Sequence, residues 1–144
     1  MGRKILLYFT SVVSSSCAFH GRLLGSLEVK LEKLVEAFAQ HAAAQSDAIW
    51  RGDAKAGNKH AKQVNAAFDK LCAQGNTGRD ALAALFTHPR MDVRVKAAAF
   101  LLRHRTEEAK AVLKEAAQGE GLVSFSASEA LKRWEEGTWA LDPG

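Results

Sequence analysis

Lys55, Lys59 and Lys62 recur at spacings of four and three, which puts three ammonium groups on one side of any helix that carries them. Lys96 and Arg103, seven apart, repeat the arrangement further along the chain. Such clusters attract anionic surfaces, either the carboxylates of an acidic protein or the phosphates of a nucleic acid. These five residues are the candidate partner-binding set. The plainer account of them is a solvated face with aliphatic stems lying on the core.

Chemistry beyond attraction is hard to assemble. The five histidines, His20, His41, His60, His88 and His104, include no His-x-x-x-His, and the chain holds no Cys-x-x-Cys. The spacing therefore offers no zinc site, and no metal is expected. His104 with Glu107 or Glu108 spans a turn and makes a poor donor set. No Gly-x-Ser-x-Gly elbow is present, and no histidine is placed by sequence to activate Cys72. Gly75-Asn76-Thr77-Gly78 lacks the lysine of a phosphate loop and reads as a helix break. No catalytic residue and no cofactor are expected. Cys17 and Cys72 lie in different contexts and imply no disulfide framework.

Net charge explains little until it is divided along the chain. The overall +4 conceals a basic middle. Residues 51–105 hold eleven basic and four acidic residues, whereas 27–50 come to −2 and 106–144 to −4. That polarity bears on encounter and partner preference, and not on fold.

A helical frame must position these groups. The chain has 144 residues, 47% of them hydrophobic, only 2 prolines, and long alanine-rich runs. Those features favour one all-helical domain. Apolar spacing predicts helices over about 27–51, 54–74, 78–87, 91–103, 106–118 and 122–135. Asp53 is the expected N-cap of the second, Thr77 of the third and Thr106 of the fifth. Asn58 is expected to bond backbone near the first turn of the second helix. Trp50 and Trp134 fall on or near apolar faces and read as core or end-cap aromatics. Trp139 and Leu141 are expected to fold back over the end of the last helix.

Residues 1–26 read differently from the rest. Arg3-Lys4, the apolar stretch 5–13 and the small residues up to Ala18 fit a short secretory signal. The competing reading is a disordered or upstream extension of a body that begins near Leu27. The apolar stretch is too short to span a bilayer, so no membrane insertion is expected. A cytoplasmic location is expected, and an exported one if residues 1–18 act as a signal.

A motif recurs thirty residues on. Val93, Val95, Ala97 and Leu101 align with Val123, Phe125, Ala127 and Leu131. Asn65-Ala66-Ala67-Phe68 also echoes Ala97-Ala98-Ala99-Phe100 at a spacing of 32. Such a period in a helical chain indicates stacked helix pairs. His88-Pro89 through Asp92-Val93-Arg94 and Ala97-Ala98 resembles the turn and second helix of a HEAT unit. With Leu34-Val35-Glu36-Ala37-Phe38, Gly52-Asp53 and Asn58, and Trp139 to Asp142, the body resembles a small bacterial domain of unknown function with an ARM/HEAT-like fold. The resemblance implies a right-handed α-α superhelix, with six helices in three antiparallel pairs. It also implies that Asp92 and Arg94 form side-chain ladders between neighbouring units. It implies no activity.

The expected function is therefore non-enzymatic: a protein-binding module, of scaffold, regulatory or toxin-immunity type. It would meet an acidic protein through a basic concave face of the second and fourth helices. The alternative is sequence-nonspecific nucleic-acid binding by the same patch, weakened by the lack of interleaved exposed aromatics. The helix pairs lack strongly polar ends, which leaves room for a homodimer.

Overall fold

The computed structural model describes residues 18–139, with side chains from Ser26 onward. The signal-like segment through residue 17, Cys17 and Leu141 lie outside the described residues. Among the described residues every regular element is helical and no strand is present. The six α-helices are α1 (Ala18–Trp50), α2 (Ala54–Cys72), α3 (Asn76–Leu82), α4 (Met91–Phe100), α5 (Thr106–Ala117) and α6 (Leu122–Glu136). A 3-10 turn, Ala83–Thr87, follows α3. The helix of α1 begins at Ala18, well before Leu27. Neither of the two prolines lies near enough to stop it.

The helices divide into two compact units at Thr87/His88. In the first, α1 and α2 form an antiparallel hairpin. The α1 helix ends where Gly52, at φ 74°, adopts a left-handed conformation that other residues resist. The Gly52 amide donates to the Ile49 carbonyl at 3.0 Å, and the Asp53 amide to the Ala48 carbonyl at 2.9 Å. Asp53 then starts α2 as expected, its carboxylate accepting from the Ala56 amide at 3.0 Å. Two residues thus close one helix and open the next. Phe38, Ala42 and Ala48 from α1 are buried with Val64, Phe68 and Leu71 from α2. The α3 helix packs on both. It starts at Asn76, and no side chain caps it, so Thr77 is not the cap the sequence suggested.

In the second unit α4, α5 and α6 pack on one another. Val93, Ala97, Ala98, Leu101, Leu102, Ala109, Leu113 and Ala127 are essentially inaccessible to solvent there. Small residues permit this close approach. Thr106 opens α5 without capping it: its hydroxyl donates to the Leu102 carbonyl at 2.7 Å. Of the four aligned pairs in the thirty-residue echo only Ala97 and Ala127 are both buried: Val123 and Leu131 are half-buried where Val93 and Leu101 are buried, and Phe125 is 63% exposed where Val95 is buried. Phe125 lies in the first turn of α6, next to the buried Ser124.

Candidate functional site

Lys55, Lys59 and Lys62 are all exposed along α2. Gly57, Val64, Phe68 and Leu71 bury the opposite side of that helix. At 100° per residue the three lysines fall within one stripe facing away from the core. They form an exposed basic strip. Ile49 and Trp50, at the end of α1, are their neighbours in sequence and are 52% and 70% exposed, so Trp50 is not the core aromatic its apolar face suggests. Both sit in the last turn of α1, whose Ala48 is fully buried. Asn58 is exposed too, and its side chain makes no hydrogen bond among the described residues, contrary to its expected backbone contact.

Lys96 and Arg103 belong to the other unit and have different surroundings. Lys96 is half-buried on α4. Desolvation lowers its pKa, and the Asp92 carboxylate one turn earlier only partly restores it. A lysine in that position is a weak candidate for meeting a partner. Arg103 lies past the end of α4 and so does not share that helix's face with Lys96. Its guanidinium donates to the Trp139 carbonyl at 2.7 Å and stands 6.0 Å from the Trp134 ring centroid. Trp139 in turn donates its indole N–H to the Ala99 carbonyl at 3.1 Å, so this residue folds back onto α4, where covering of the end of α6 was expected. Arg103 is a structural clasp.

The burial of Lys96 has a measurable consequence. Its folded-state pKa lies below the ordinary 10.5, so the cost of burying the charge is constant at pH values below the folded value. That cost fades as pH rises through the folded value towards 10.5, where lysine becomes neutral in both states. Lys96→Met is therefore expected to stabilise the protein by about 1 kcal/mol near pH 7. The advantage should shrink as pH approaches 10.5, read from urea midpoints at neutral and alkaline pH.

Asp92 and Arg94 order their own turn. Asp92 accepts from Arg90 Nε at 3.0 Å and Nη2 at 2.7 Å, and from the Val93 amide at 2.8 Å. Arg94 donates to the His88 carbonyl at 2.6 Å and to the Pro89 carbonyl at 3.3 Å. His88 Nδ1 accepts from the Arg90 amide at 3.0 Å. Proline leaves the turn without one backbone donor, so side chains supply the order that backbone cannot.

One juxtaposition has no sequence signal. His41 of α1 and His60 of α2 meet with their Nδ1 atoms 3.0 Å apart. Nineteen residues separate them, and only the antiparallel hairpin brings them level. Among the described residues no group of three or more His, Cys, Asp or Glu converges on one point. No described helix is long and apolar enough to cross a membrane.

The crystal structure of the protein RPA1889 from Rhodopseudomonas palustris CGA009 is similar to this chain, with a TM-score of 0.72 and 26% identity. The likeness covers 76% of this chain and 92% of that one. No curated protein matches. The family described as Domain of unknown function (DUF2019) matches residues 32–133. That span runs from the first buried turns of α1 almost to the end of α6, and the chain belongs to the DUF2019 family.

Proposed function

We propose that this protein is a non-enzymatic binding module, a HEAT-like helical scaffold or regulatory or immunity-type partner, that docks on an acidic protein surface in the cytoplasm. The reading rests chiefly on Trp50, which leaves 70% of its surface in water at the start of the turn leading into the Lys55–Lys59–Lys62 strip. A large exposed aromatic a few residues from a cationic strip in sequence has the composition of an interface anchor with a steering rim. Burying such a ring on a partner removes apolar area from water, while the lysines raise the encounter rate. The site is narrower than the five-residue patch, because Lys96 and Arg103 are occupied in their own unit.

Trp50 also favours a second reading. Nonspecific nucleic-acid binders combine cationic grooves with exposed aromatics on which bases stack, and Trp50 supplies one. Acidic flanks of −2 and −4 on either side of the basic middle weigh against it.

The test is affinity capture from native lysate on the full chain, at low and moderate salt and with nuclease treatment. A stoichiometric acidic protein that survives nuclease and is released by Trp50→Ala is the expected result. Recovery of nucleic acid alone, lost as salt rises, would reverse the ranking.

A further inference from the structure

We propose that His41 and His60 form a two-imidazole site for a divalent transition-metal cation, separate from the basic strip. The two Nδ1 atoms lie 3.0 Å apart, with ring centroids 5.3 Å apart and planes tilted by 35°. A hydrogen bond between two imidazoles needs one nitrogen protonated and the other bare. In most structural histidines a carbonyl or carboxylate holds the Nδ1 proton in place. Among the described residues the one partner of each Nδ1 is the other, so one lone pair is presented to its neighbour.

A metal ion in place of the shared proton would use both lone pairs. Two nitrogens bound tetrahedrally at the usual zinc distance stand about 3.3 Å apart. The observed separation is a few tenths of an ångström from that value. Metal binding also requires both rings to carry their remaining proton on Nε2. No described residue bonds either Nε2, so nothing fixes the opposite tautomer.

Helical spacing makes Gln45 the candidate third donor. It lies one turn beyond His41 on α1, on the same side of the helix. Its Oε1 is buried and has no hydrogen-bond partner. A buried carbonyl oxygen left without a partner costs free energy that a cation would offset. Neutral imidazoles with one amide oxygen suit Zn(II), Cu(II) or Ni(II) rather than calcium or magnesium. Water would complete the coordination.

The test is a titration of the full chain with Zn(II), following the histidine ring resonances by NMR. One equivalent is expected to shift His41 and His60 together while His88 and His104 stay in place. His41→Gln and His60→Gln should each weaken Zn(II) binding at least 10-fold with helical content unchanged. Zn(II) that leaves the His41 and His60 signals unmoved at millimolar concentration would overturn the site. So would Gln variants that bind like the parent, since the ion would then sit elsewhere. The resonance measurement uses the unaltered chain, so it decides even if a variant loses helix.

Discussion

The triple variant Lys55→Glu, Lys59→Glu, Lys62→Glu is expected to fold like the parent and to associate with its acidic partner about 100-fold more slowly at low salt. Folding should survive because all three side chains are exposed on the side of α2 opposite Val64, Phe68 and Leu71. Lys55 moreover lies in the first turn of α2, at the positive end of the helix dipole, where a glutamate suits the helix better than a lysine. The melting temperature should hold or rise slightly. Binding should suffer, because three charge reversals invert the potential that guides encounter. The difference should narrow as salt rises and the Debye length contracts below the spacing between partners. Dissociation should change less, since Trp50 would still be seated. Stopped-flow association measured at two salt concentrations separates these effects. Equal rates for variant and parent at low salt would remove the strip from the interface. If the partner is instead a nucleic acid, the same variant should flatten the salt dependence of Kd by a log–log slope of about 3.

The helices were legible because their signals are local. Apolar spacing located all six, and Asp53 and Pro89 marked breaks that backbone chemistry enforces. The errors have local causes as well. Thr77 and Thr106 are good capping types, yet glycine and arginine occupy the cap positions, because where a helix begins depends on what it packs against. Trp50 falls near the apolar face of α1 by spacing, yet as the last residue of that helix it stands 70% exposed. Phe125 fits a repeat slot by type, yet it stands 63% exposed in the first turn of α6 beside the buried Ser124.

The candidate site was less legible, since it depends on contacts distant in sequence. Helical spacing correctly grouped Lys55, Lys59 and Lys62, but Arg103 was taken for a free cation when a carbonyl thirty-six residues away claims it. Lys96 has a charged neighbour at Asp92 that sequence could see, whereas its burial arises from packing within its unit. The His41–His60 meeting requires the hairpin register, which no single-helix pattern encodes.

Gly78→Ala is expected to destabilise the protein by about 3 kcal/mol, although alanine is much the better helix former. Gly78 is buried near the start of α3. A Cβ built there would run into the Leu71 carbonyl oxygen of α2 and lie 2.6 Å from its carbonyl carbon. Both atoms are backbone, and Leu71 is itself fully buried, so neither can swing aside as a side chain would. The chain must push α3 off the end of α2 or distort the last turn of α2. A melting temperature lower by about 10 °C is the corresponding readout. Gly57→Ala is the matched control. Its added Cβ would meet Ile49 Cγ1 at 3.8 Å and Ala48 Cβ at 3.9 Å, both ordinary contacts. Relief of glycine's backbone entropy should therefore dominate there and raise stability by about 0.5–1 kcal/mol. Opposite signs at two buried helical glycines would show that packing, and not helix propensity, decides the outcome at Gly78. A Gly78→Ala protein as stable as the parent would mean that α3 does not rest on the Leu71 backbone. It would then cease to be a support for the helix that carries the lysine strip.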